Sequence, residues 1–269
     1  EYEKGCIMDL RLVSTTYKGN IRNTHEEVIP FLDDGGREEQ LINLYPQVKY
    51  QTMDGFGGAI TDSAAYIYSL MSPEQKKQML TEYFGQDSMK YRFVRIPIDS
   101  CDFSLEHYEA DGDENDPELE NFSFTRVEKY ILPMLVDAEA AYGKKLEIML
   151  SPWSPPAYMK TNGERNHGGK LKVCYWKRWA EYICRYIEEY RNRGFNVTML
   201  TLQNEPKAVQ TWDSCIFTAE EEKVFLRDYV WPSLTAHGLN DIEIYIWDHN
   251  KERAFEWADT IIDEETDHM

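Results

Sequence analysis

The sequence predicts an α/β fold built on a parallel sheet, with a (β/α)8 barrel as the first reading and a doubly wound sheet as the runner-up. Three observations carry this. Four short apolar runs, "YRFVRIPI" (91–98), "KLEIMLSP" (145–152), "NVTMLTLQ" (196–203) and "IEIYIWD" (242–248), start roughly 45 to 55 residues apart. Helical segments lie between them, and strands that alternate with helices pair in parallel through right-handed crossovers. Neither GxGxxG nor GxxxxGK[ST] occurs, so the phosphate-binding signatures of doubly wound sheets are missing.

Taken in order, residues 1–50 lack helical periodicity. They carry alternating pieces, "DLRLVSTTY" and "QLINLYPQVKYQ", which read as a β-rich N-terminal segment; 51–269 reads as the barrel part. "DGFGGAITD" (54–62) is Gly-rich with the wrong spacing for a phosphate cradle, which points to tight packing of a first strand. "SPEQKKQMLTEYF" starts a helix with Ser72, Pro73 in the first turn and Gln75 three residues after Ser72. "TRVEKYILPMLVDAEAAYG" and "YWKRWAEYICRYIEEYRNRG" end on Gly143 and Gly194, as helix C-termini often do. "FTAEEEKVFLRDYVWPSL" repeats the capping pattern with Thr218 and Glu221, and "KERAFEWADTIID" forms a last helix.

Composition narrows the function. The 269 residues are 42% hydrophobic, enough for a real core, and 18 Tyr and 7 Trp supply faces that can stack on sugar rings. A net charge of −19 repels phosphate backbones and anionic lipid, which argues against nucleic-acid and membrane-surface partners. No apolar run approaches the roughly 18 residues of a membrane span. Cys6, Cys101, Cys174, Cys184 and Cys215 are odd in number and scattered, with no CxxC. They read as free thiols in a reducing compartment, hence a cytoplasmic protein. The opening "EYEKG" lacks Met, so the alternative is a secreted protein whose signal has been removed. No cysteine or histidine set has zinc-type spacing, and the acidic loop "EADGDENDPELE" (109–120) lacks the Gly of an EF-hand. No metal or cofactor is expected.

In a barrel, chemistry sits just past the strand C-termini. The four runs end in "PIDSCD", "SPWSPP", "LQNEP" and "WDHN". Glu205 follows a buried strand, preceded by Asn204 and followed by Pro206, which fixes the backbone and removes an amide donor. A carboxyl above an apolar strand is expected to have a raised pKa, suited to a general acid. Asp102 is a candidate for binding sugar hydroxyls. Trp153, pinned by Pro152, Pro155 and Pro156, offers a rigid platform. Asp248 and His249 are further binding candidates, with His249 equally readable as a structural residue. An inward Arg95 must be paired, and is expected to bridge carboxylates beneath the site.

"GFGGAITDSAA", "RIPIDSCDFS", "SPWSPPAYMKTNG" and "QNEP", in this order, resemble glycoside hydrolase family 30, the glucosylceramidase and β-1,6-glucanase group. "NFSF" and "CIFTAEE" fit the same pattern. The resemblance implies a (β/α)8 barrel with a β-sandwich built from both chain ends, and a retaining mechanism using two glutamates. It makes Glu205 the acid/base at the end of barrel strand 4 and puts Asn204 on the sugar 2-hydroxyl. Asp102 and Trp153 would line the −1 subsite. Strand 1 falls near "GFGGAI", and "IEIYIWD" becomes strand 5. The nucleophile belongs at the end of strand 7, and neither Glu264 nor Glu265 matches that motif. The chain is therefore expected to be a fragment or a truncated gene product, with strands 1–5 present, that requires the missing C-terminal part of the same protein or a partner such as a second copy. Completed, its two carboxyls would lie about 5 to 5.5 Å apart. The expected substrate is a β-linked glycoside; the alternative is a catalytically incomplete carbohydrate-binding fragment.

Overall fold

A computed structural model describes residues 9–19, 21–30, 42–43 and 45–269. The chain divides into two compact units, Glu1–Thr52 and Met53–Met269. In the first, β1 (Asp9–Lys18) and β2 (Ile21–Pro30) form an antiparallel ribbon, in register from Asp9↔Pro30 to Lys18↔Ile21. The turn opens on Gly19 at φ +61°, which a glycine adopts without a Cβ clash. The second alternating piece, "QLINLYPQVKYQ", forms no strand among its described residues; 40, 41 and 44 lie outside them. Pro46 has no amide to give a ladder, and the Val48 amide instead closes a turn on Tyr45.

In the second unit, five parallel strands lie side by side in chain order: β3 (Gly57–Ala59), β4 (Phe93–Ile98), β5 (Glu147–Pro152), β6 (Asn196–Thr201) and β7 (Glu243–Tyr245). The connecting helices are α1 (Asp62–Leu70), α2 (Pro73–Phe84), α3 (Thr125–Tyr142), α4 (Trp176–Asn192), α5 (Ala219–Phe225), α6 (Trp231–Ala236) and α7 (Ala254–Ile261). Both capping boxes form: Ser72 with Gln75 at α2, and Thr218 with Glu221 at α5. Gly143 and Gly194 sit past α3 and α4 at positive φ. The glycines of the first strand are there for space. A Cβ at Gly57 would lie 2.3 Å from the Phe93 carbonyl oxygen.

Three sequence expectations change. Helix α1 was hidden behind the Gly-rich stretch, although Thr61 caps it by accepting the Ala64 amide. The helix expected over 217–234 is split by a π turn, Leu226–Val230, between α5 and α6. Pro232 explains the split, because it removes an amide and crowds the carbonyl one turn back. The strand expected over 242–248 pairs regularly only at Glu243–Tyr245; Trp247 then turns at φ +52°.

The core lies between the sheet and its helices. Val94, Ile96, Ile98, Ile148, Leu150, Val197 and Leu200 fill the helix-facing side, against fully buried Trp179, Tyr182 and Tyr186 of α4. The opposite face carries Arg95, Met149, Met199 and Tyr245 and lines a hollow of about 550 Å³. One irregularity decides what reaches it. Ile148 pairs with Val197, but Met149 pairs with Met199, so Thr198 is an extra, bulged residue. A one-residue slip exchanges the faces. The bulge thereby puts Met199 and Thr201 on the hollow side, with the positions just beyond β6 following from there. Among the described residues Cys101, Cys184 and Cys215 are buried free thiols and Cys174 is exposed; Cys6 lies outside them.

Candidate active site

The residues singled out at the strand ends converge on Arg95. From β4 its guanidinium donates to the Ser151 hydroxyl (3.0 Å), the Asn204 side-chain carbonyl (2.9 Å) and the Asp248 carboxylate (2.6 Å). It also lies over the Trp153 ring, 4.4 Å from the centroid. Ser151 donates to Asp248 (3.0 Å) and shares a 2.5 Å hydrogen bond with Thr201. Four strand ends are thus tied by one cation. The expectation that Arg95 bridges carboxylates is met by a single carboxylate, with an amide and a hydroxyl as its other partners. Trp153 is buried but stands apart from the main hydrophobic cluster, with Gln203 donating to its carbonyl (2.7 Å).

Glu205 is half-buried and has φ +44°. A glutamate in the left-handed region, immediately before a proline, is strained. Two backbone bonds hold it there: its amide donates to the Asp248 carbonyl (2.8 Å), and its carbonyl accepts the Ala208 amide (2.8 Å). Asn204 and Asp248 form an isolated parallel bridge, so pairing that lapses at Trp247 resumes beside the candidate carboxyl. The Glu205 side chain makes no hydrogen bond to any described residue, which leaves both oxygens available.

Asp102 and His249 stand outside the Arg95 network. Asp102 is exposed, four residues beyond β4. His249 stacks on Trp247 (centroids 4.8 Å, planes 11° apart), and its Nδ1 accepts the Asn250 amide (2.7 Å).

Sequence reasoning missed three groups. Ser151, in "SPWSPP" but not singled out, links Arg95, Thr201 and Asp248; its strand parity with Arg95 was the available signal. Asp99, at φ +60° just after β4, accepts from Tyr182, Tyr186 and the Ala110 amide, and Arg165 lies 3.5 Å away. Burial lifts its carboxyl to about 6, against the pull of Arg165 and Tyr182. Arg165 also binds Asp213 (2.6 Å) and Glu109 (3.2 Å), and Asp213 meets Ser100 (3.1 Å) and His107 (2.9 Å). This buried cluster laces together the loops after β4, β5 and β6. The third group is Glu222, on α5. Among the described residues no group of His, Cys, Asp and Glu is arranged to hold a metal ion, and no helix is long and apolar enough to cross a membrane.

Five parallel strands in chain order, with polar groups gathered where they end, define a β/α barrel enzyme scaffold with its site at the C-terminal face. Residues 53–268 match the glycosyl hydrolase family 30 TIM-barrel domain. The chain belongs to that family. It is 31% identical to the lysosomal acid glucosylceramidase of Mus musculus over 231 residues, 82% of this chain and 45% of that protein. The crystal structure of SrfJ from Salmonella typhimurium superposes with a TM-score of 0.80 at 40% identity, covering 87% of this chain and 53% of that one. The endo-beta1,6-glucanase BT3312 superposes at 0.72 with 31% identity, covering 80% and 50%. The chain therefore spans about half the length of the relatives it matches.

Proposed function

We propose that this chain carries the acid/base half of a retaining β-glycoside hydrolase, with Glu205 as the proton shuttle and the nucleophilic glutamate outside residues 1–269. The observation that supports it is the backbone of Glu205: a strained left-handed residue, clamped between the Asp248 carbonyl and the Ala208 amide, that presents an unshared carboxyl beyond β6. Strain of this kind is kept where the surrounding structure over-determines it, which is typical of functional positions.

The mechanism has two steps. In the first, protonated Glu205 gives its proton to the glycosidic oxygen as the nucleophile attacks the anomeric carbon, and the leaving group departs as an alcohol. In the second, ionised Glu205 takes a proton from water, and the water oxygen displaces the enzyme carboxylate. In this reading Asn204, oriented by Arg95, meets the sugar 2-hydroxyl, Trp153 forms one wall, and Asp102 reaches a hydroxyl once substrate is bound. The relatives' names, glucosylceramidase and endo-β1,6-glucanase, share a β-linked glucose, so β-glucosides are the substrate class of this reading. Proton transfer and covalent catalysis account for both steps without a cofactor.

Glu205→Gln in the intact enzyme tests the assignment with two aryl β-glucosides. Cleavage of the poorly activated one should fall by about 10² to 10⁴, because protonation of its leaving oxygen is lost. The first step on the highly activated one should change far less. Equal activity on both, relative to wild type, would remove Glu205 from the acid/base role.

A further inference from the structure

Helix α5 carries a buried carboxyl that the proposed mechanism does not use. Glu222 is 1% exposed and makes no ion pair with any described residue. One oxygen accepts the Trp257 indole N–H (2.5 Å) from α7. The other oxygen has no partner. The titratable groups around it and its tryptophans are Asp248, a like charge from the turn after β7, Lys207 across the Trp257 ring, 5.4 Å from its centroid, and His249, stacked on the Trp247 ring. Its helix neighbours Glu221 and Lys223 are engaged elsewhere, with Lys170 and Asp263.

Trp257 lies against Trp247, with centroids 4.4 Å apart. Trp247 is the left-handed residue two positions beyond β7, and its indole N–H donates to the Asn250 carbonyl (2.6 Å), closing the turn. The next residue is Asp248, whose carbonyl receives the Glu205 amide and whose carboxylate receives Arg95. A continuous chain of contacts runs from α5 to the strained glutamate.

We propose that Glu222 is a positioning residue for the candidate site: it pins Trp257, against which Trp247 packs, and through that pair it sets the Asp248 carbonyl that holds Glu205 in its left-handed conformation. A bulky apolar residue would fill the same space but leave the Trp257 indole N–H unpaired in a dry environment, and the tryptophan pair and the turn it supports would relax. Burial lifts the carboxyl to about 7, so Glu222 changes charge near neutral pH beside the Trp257 indole, which packs on Trp247. The kinetic consequence rests on the reading of Glu205 as acid/base; the spectroscopic one does not.

The experiment compares wild type, Glu222→Gln and Glu222→Leu in the intact enzyme. In a His249→Phe background, which removes the imidazole stacked on Trp247, the near-UV circular dichroism and indole emission should change with a midpoint near pH 7, and adding Glu222→Gln, which keeps an acceptor oxygen but cannot ionise, should abolish that transition. On an aryl β-glucoside Glu222→Leu should lose kcat about tenfold or more with KM within about twofold, since a misplaced proton donor slows the step without loosening the sugar. Glu222→Gln should recover most of that loss. The proposal is overturned if Glu222→Gln leaves the transition of the His249→Phe background unchanged, or if a folded Glu222→Leu keeps wild-type kcat. A wild type that cleaves no β-glucoside, with the Glu222-dependent transition present in the His249→Phe background, would sink the hydrolase reading and leave the packing role intact.

Discussion

Replacing Arg95 by Met keeps the length of the side chain and removes its charge and donors. Three hydrogen bonds disappear, to Ser151, Asn204 and Asp248, together with the contact on Trp153. The Asp248 carboxylate is left with only the Ser151 hydroxyl. Removing one partner of a fully buried ion pair costs about 3 to 5 kcal/mol. Here the side chains are 27% and 23% exposed, so water recovers part of that. A loss of about 3 kcal/mol follows once roughly 1 kcal/mol of cation–π contact is included. In urea, with an m-value of about 3 kcal/mol/M, the midpoint should drop by about 1 M at unchanged slope. Asp248→Asn alone should cost less, and the double variant should be less destabilised than the sum of the two by about 1 kcal/mol or more. A midpoint within about 0.3 M of wild type, or strict additivity, would refute the view that Arg95 ties the strand ends together.

Two further outcomes test the scaffold. Gly57→Ala should destabilise the β3–β4 pair by about 2 kcal/mol or more, because the added methyl meets backbone rather than a yielding side chain, and hydrogen exchange should rise first at Ala59 and Ile60. His237 contacts Glu188 through Nδ1 (2.8 Å) and Glu181 through Nε2 (2.7 Å), and these carboxylates, Glu188 first, raise its pKa. A raised folded-state value means the contribution is present below the ordinary histidine range and is lost as pH climbs through the folded value. Urea midpoints of wild type minus His237→Ala should shrink in that window; a difference independent of pH would contradict a charged clamp.

How much was readable beforehand varies by element, for physical reasons. The four apolar runs, the two capping boxes and the Gly helix ends follow from short-range rules, since a cap or a left-handed glycine is decided within a few residues. Helix α1 was missed because its start is overlaid by glycines whose role is close approach to Phe93. The end of the fifth strand was misjudged because "IEIYIWD" stays apolar from Ile244 to Trp247, and only packing on Trp257 turns the chain at Trp247.

At the site, the chain alone specified which side chains stand near strand ends: Arg95, Trp153, Asn204, Glu205 and Asp248 all lie within or just past an apolar run. It could not say how they meet. That Asp248 shares Arg95 with Asn204, that Ser151 joins them, that Asp102 and His249 stand apart, and that Thr198 bulges so that Thr201 reaches the hollow are all consequences of register. Register is set by pairing between strands tens of residues apart, and a slip of one position would have exchanged the two faces without altering any local preference.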